Sequence, residues 1–290
     1  MVKFLAAFMF VIIFVAGEAN LDVRAAAVND KATWLWNPMM IVNDEQEALT
    51  FLEQKQVNKV YIQIDRKFSQ KVYQNFIQHA AGKGIRVYAL DGAPEWCVQN
   101  GLTDQSQLMS WLANYQKASS KMQQFAGVHL DVEPYLYNGW TTNQQETIKD
   151  YQAMLMKAKN SLDALHLPIE MDMPFWFDQI SYKNSYGKGL LSEWVIAHTS
   201  GVTIMAYRDS ASEIINLVNN EISYAGKLGK SIDVGVETQK SAEGNDVSFF
   251  EEGETYMNQE LSKVSNHFAR VAGFNGIAVH HVGSWMTMKP

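Results

Sequence analysis

The chain has 290 residues, 47% of them hydrophobic and 19% charged, which supplies a full core and excludes a disordered or low-complexity chain. Lys and Arg number 24 against 31 Asp and Glu, a formal net charge of -7, so the surface is not built to neutralise phosphates and no nucleic-acid partner is expected. Eight Trp, 12 Tyr and 14 Phe exceed what a core of this size needs, so some rings are expected to face a ligand.

The chain opens with Met1, Val2 and Lys3, an uncharged apolar run over 4–17, then Glu18 and a polar stretch ending in Ala25, Ala26 and Ala27. This layout predicts a secretory signal peptide over 1–27, with cleavage after Ala19 as the alternative. The apolar run is shorter than the roughly 20 residues a membrane span needs. The mature domain, 28–290, is therefore expected outside the cell without a stable membrane span; retention of the segment as an N-terminal anchor is the alternative. Cys97 is the only cysteine, so no intrachain disulfide is available.

Beyond this segment, apolar runs of strand length fall at 33–36, 59–64, 86–90, 127–132, 169–173, 202–206, 232–236 and 276–280. Amphipathic helices are predicted between them at 44–54, 68–81, 106–121, 146–165, 212–228 and 249–271, each introduced by Asn, Thr, Asp or Ser. Strand then helix, repeated without a linker, means a parallel sheet. Eight units predict an α/β fold, a single-domain (β/α)8 TIM barrel, with no helix evident after the eighth strand. A monomer is expected.

In such a barrel the chemistry sits at the C-terminal ends of the strands. Those ends carry Trp36, Asp65, Asp91 with the following Trp96, then Glu133 and Tyr135, Asp172 and Trp176, Tyr207 and Arg208, Glu237, and finally His280 and Trp285. Acids beside indole rings suit a carbohydrate, whose C–H faces stack on aromatics while its hydroxyls and glycosidic oxygen need acceptors and acids. Trp36, Trp96, Tyr135, Trp176, Tyr207 and Trp285 are the candidate sugar platforms, with Trp285 foremost. No cofactor is implied; a polysaccharide or glycan is the expected partner.

The most informative run is 125–134, in which strand alternation turns His129, Asp131 and Glu133 to one face, the barrel interior. Two carboxyls that close repel when both are ionised, which keeps a proton on one and makes a general acid. A buried polar pair neutralised by Arg66 or Arg208 is the structural alternative.

At these residues the sequence resembles glycoside hydrolase family 18, the chitinase-like barrels, whose fourth strand carries an apolar-D-G-x-D-x-D-x-E pattern. The last two acids fall on Asp131 and Glu133, and 202–207 is similar to that family's sixth strand with its M-x-Y. The resemblance implies that Glu133 protonates the glycosidic oxygen, Asp131 orients the substrate's acetamido group as internal nucleophile, and Tyr207 supports the resulting intermediate. The sequence departs from the pattern at Ala126 and His129, which stand where the first two aspartates belong, at Val132 in place of a Trp, and at His280, near the place of the strand-eight Trp.

Other chemistries remain open from the residues alone. Glu237, at the end of strand seven, lies across the barrel from Glu133, the layout of retaining barrel glycosidases; there Glu237 would be the nucleophile about 5 to 5.5 Å from Glu133 as acid/base. An L-D-V-E strand also resembles family 25 lysozymes, although their strand-one aspartate is missing. His129, Asp131, Glu133, Asp172, His280 and His281 include metal-ligand types suited to a deacetylase, but neither a strand-one H-x-H nor an H-E-x-x-H is present. A barrel that binds glycans without cutting them is the fourth possibility.

Overall fold

The computed structural model describes residues 29–98 and 101–290, so the expected signal peptide over 1–27 lies outside the described residues. Eight strands run parallel: Asp30–Leu35, Lys59–Gln63, Arg86–Asp91, Gly127–Leu130, Ile169–Pro174, Gly201–Met205, Ser231–Glu237 and Phe274–His280. The first pairs with the last through Asp30↔Gly276 and Thr33↔Val279, closing a (β/α)8 barrel. Every strand read from the sequence is present, within a few residues at its ends.

Local chemistry sets the helix limits. Ser69 accepts from Lys71 N at 3.2 Å to cap helix Gln70–Gly82, and Gly229, in the left-handed region at φ 64°, ends helix Ala211–Leu228. That second helix buries Ile214, Val218, Ile222 and Ala225, one stripe at helical spacing, against the barrel wall. The predicted 249–271 helix begins only at Glu254, because Gly253 sits at φ 92° just before it. A short helix, Val282–Thr287, does follow the eighth strand, correcting the expectation that none would.

Besides the short helices Met39–Asn43 and Gly139–Thr142, the sequence did not show an antiparallel hairpin, Ser181–Asn184 with Gly187–Leu190, or helix Leu191–His198. The hairpin is short and carries little apolar alternation, and the helix presents Leu191, Trp194, Val195 and Ile196 as a run that reads equally well as a strand.

Apolar residues divide into the large layer between strands and helices and a small cluster inside the barrel formed by Ala32, Trp34, Tyr61, Tyr88, Leu90 and Ala278. Below that inner cluster, at the N-terminal end, Lys59 is 1% exposed. Its Nζ lies 3.0 Å from Asp30, 2.7 Å from Glu170 and 3.1 Å from Asp233. The three carboxylates overcome burial and hold the ammonium well above its ordinary pKa.

Candidate active site

The strand-four ladder stops at Leu130, two residues short of the predicted 132, and the chain rises above the barrel mouth. Asp131 N still donates to Asp91 O at 3.1 Å, and Pro134, which has no N–H to offer a ladder, starts the turn Pro134–Leu136. Asp131 and Glu133 thus stand one above the other at the mouth.

The Tyr135 hydroxyl donates to Glu133 Oε1. Burial raises the pKa of the Glu133 carboxyl; the Tyr135 hydrogen bond opposes that rise, Asp172 adds to it and His280 opposes it. Glu133 lines a cleft of about 330 Å³ with Tyr135, Trp176, Tyr207 and Arg208. Tyr135 and Trp176 meet edge to face with ring centres 5.0 Å apart, and the Arg208 guanidinium sits 5.4 Å from the Phe175 ring centre. A carboxyl whose pKa is raised, set in an aromatic-walled cleft, suits protonation of a leaving oxygen.

Asp131 is half-buried, but its Oδ1 is enclosed with no hydrogen-bond partner in the structure. Its carboxyl is pushed well above the usual carboxylate range by burial first, then by the charges of Asp172 and Glu133. Tyr207 lines the same cleft, and its hydroxyl is likewise raised by burial and by the charges of Glu237, Asp172, Asp131 and Glu133.

Deeper in the barrel, Asp172 Oδ2 accepts from Trp34 Nε1 at 3.0 Å and lies 2.9 Å from His129 Nε2. The other imidazole nitrogen is 3.6 Å from Glu170, and the ring stacks on Tyr61 with centres 3.8 Å apart. Neither ring N–H is well aligned with a carboxylate, so these contacts are ion pairs more than directed hydrogen bonds. Burial opposes the imidazolium, but Asp172 and Glu170 outweigh it and lift His129 to about 9.

On the opposite wall, Trp36 Nε1 donates to His280 Nε2 at 2.8 Å, and His280 Nδ1 lies 2.8 Å from Glu237 Oε2. Because Nε2 accepts, the ring proton is on Nδ1 and is donated to Glu237. Glu237 Oε1 also accepts from Thr238 N at 2.8 Å and Gln239 N at 2.7 Å. Trp36 lines a second cavity of about 570 Å³ with Gln63, Asp65, Arg66 and Asp91. Burial raises the pKa of Asp91.

Several sequence-predicted platforms are corrected. Trp285 is 1% exposed, packs edge-on against Phe51 and donates to Glu254 at 3.0 Å, so it has no open face for a sugar. Trp96 is buried at 4% exposure beneath its own turn. His129 and Asp172, predicted to touch substrate, are buried at 0% and 3% exposure and can act only through their neighbours. His281 accepts from Gly283 N at 3.1 Å, capping the last helix. Among the described residues no group of three or more His, Cys, Asp or Glu is arranged to hold a metal ion.

Sequence reasoning missed Trp34, which fixes Asp172, and the Lys59–Glu170–Asp233 cluster. Glu170 shares its strand face with Asp172, so period-two alternation signals it; Lys59, first in its strand, reads as a solvated edge until the barrel closes over it.

No protein-family model matches the chain, and no curated protein matches it. Solved structures do. The spore cortex-lytic enzyme SleL of Bacillus megaterium is 13% identical with TM-score 0.55, the match covering 89% of this chain and 73% of that one. A glycoside hydrolase family 18 chitinase from Pseudoalteromonas aurantia is 12% identical with TM-score 0.55, covering 88% and 95%. A class V chitinase from Nicotiana tobaccum, in complex with NAG4, is 11% identical with TM-score 0.50, covering 89% and 95%.

Proposed function

We propose that this chain, which shares its fold with SleL and with chitinase structures at 11–13% sequence identity, is a glycoside hydrolase that cuts a polysaccharide containing N-acetylhexosamine, with Glu133 as general acid and Asp131 and Tyr207 in support. The observation that carries this is Glu133 itself, a carboxyl whose pKa burial raises, on the wall of an aromatic cleft and close to Asp131, whose Oδ1 is enclosed. Relatives in fold that are named chitinases, one of them holding NAG4, support the choice of sugar.

In the cleavage step, Glu133 gives its proton to the glycosidic oxygen as the C1–O bond breaks. The acetamido oxygen of the same sugar closes on C1, and Asp131 faces the amide N–H that becomes positive. Water then attacks C1, the ring opens, and Glu133 takes the water's proton back. Tyr207, 6.1 Å from His280 ring to ring, bounds the space on the far side. Neither step needs a protein nucleophile. Glu237 is less suited to that role because three donors already occupy its oxygens.

The test is a screen of purified mature protein, with and without EDTA, against N-acetylhexosamine polymers, peptidoglycan and neutral glycans, reading reducing ends and released acetate together. Reducing ends that survive EDTA are expected. Acetate lost on chelation, or silence in both channels with glycan binding retained, overturns the assignment in favour of a deacetylase or a lectin. Export is part of the same proposal, and N-terminal sequencing of the protein recovered outside the producing cell checks cleavage after Ala27.

A further inference from the structure

We propose that a buried ion pair with His129 and a hydrogen bond from Trp34 fix Asp172 beside the Asp131–Glu133 pair, and that this immobile acid on strand five keeps one proton on the pair for delivery to substrate. The inference rests on the glycosidase reading above and assigns two positioning residues within it.

Strands four and five are in register through His129↔Glu170 and Leu130↔Met171, and Asp131 and Asp172 each follow the last of these pairs on their strand, close enough for the charge of Asp172 to raise the Asp131 carboxyl. Asp172 is tied from two directions, by Trp34 Nε1 of strand one at 3.0 Å and by His129 Nε2 at 2.9 Å. It cannot swing away. His129 is clamped in turn, face on against Tyr61 at 3.8 Å and 3.6 Å from Glu170, which is itself anchored by Lys59 at 2.7 Å. A neutral imidazole there would leave two buried carboxylates short of counter-charge; a cation serves both and gains from the Tyr61 face.

Asp172 and His129 approach the acid pair from below and Tyr151 from helix Gln144–Asp163, while Tyr135, Tyr207 and His280 stand beside it at the mouth and Arg208 and Glu243 line the same cleft as Glu133. Asp131 and Glu133 repel each other, and a third, immobile negative charge makes simultaneous ionisation of both more costly still. The pair therefore keeps a proton to higher pH than it would alone. Strand four itself carries no further acid at 129 to do this; the neighbouring strand supplies it, and His129 makes that acid's charge tolerable.

Two measurements test this on the full mature chain. Nitrogen-15 NMR of the assigned imidazoles is expected to show His129 doubly protonated at pH 7; a neutral ring at pH 7 overturns the proposal whatever any variant does. The pH profile of hydrolysis for Asp172→Asn is then compared with wild type, with circular dichroism confirming the fold. The alkaline limb is expected to move down by about one pH unit. A uniform loss at every pH, with the limb unmoved, would mean that Asp172 only packs and would overturn the proposal. Absence of hydrolysis in the wild type would instead overturn the glycosidase assignment, while the NMR result still decides the state of His129.

Discussion

His280 gives its Nδ1 proton to Glu237 Oε2 at 2.8 Å, and with the backbone N–H groups of Thr238 and Gln239 it occupies both oxygens of the Glu237 side chain with three donors. Trp36, at 2.8 Å, fixes the tautomer that makes this possible. Glu237→Gln places an amide N–H against donors and is expected to cost about 1–3 kcal/mol of stability, visible as a lower melting temperature, with a moderate loss of rate. Asp131→Asn is expected to lower kcat far more. An equal or greater loss of kcat in a folded Glu237→Gln would mean that Glu237 is a nucleophile after all.

Glu133→Gln removes the transferable proton while keeping the shape of the side chain. Hydrolysis should fall by at least 10²-fold with the melting temperature near that of wild type, since general acid catalysis typically contributes 10²–10⁴-fold. Residual activity near wild type in a steady-state assay is incompatible with the proposed acid.

Tyr135→Phe deletes the hydrogen bond that favours ionised Glu133. With the charged form less stabilised, the Glu133 pKa rises further and the alkaline limb of the activity profile should move to higher pH. Asp172→Asn moves the same limb the other way, so the two variants form an internal control.

Lys59→Met removes the ammonium that Asp30, Glu170 and Asp233 share at the barrel floor. Breaking a buried ionic cluster on one side strands the other, and a loss of about 3–5 kcal/mol by urea denaturation is expected.

The buried ionic column also sets the pH range of stability. His129 is raised from 6.5 to about 9, so its contribution is full below about 6.5 and is lost as pH climbs through 9. For Glu170, burial alone would raise the pKa, but Lys59 and His129 pull it from 4.5 to about 2; its contribution is full above about 4.5 and is lost as pH falls through 2. Thermal melts should therefore peak between about pH 4.5 and 6.5. A maximum above pH 9 would contradict the charged state of His129.

The eight strands were legible because their apolar runs are bounded by turn residues and because alternation with helices has few solutions. The same period-two rule turns His129, Asp131 and Glu133 to one face, and the strand ends mark the place of Tyr135, Trp176 and Tyr207. Trp285 and Trp96 misled because a strand-end position says nothing about whether a ring faces the cleft or the helices; Phe51 and Glu254, distant in sequence, decide that for Trp285. The hairpin after strand five was invisible for want of a hydrophobic pattern.

By itself, then, the order of residues determined the barrel and the face on which its acids stand, since both follow from local periodicity. What only the tertiary structure decided is the pairing of those acids. Trp34 with Asp172 joins residues 138 apart, His280 with Glu237 joins residues 43 apart, and Lys59 with Asp233 joins residues 174 apart. Whether a carboxyl keeps or loses its proton depends on burial and on charges within a few ångströms, and barrel closure alone brings those charges together.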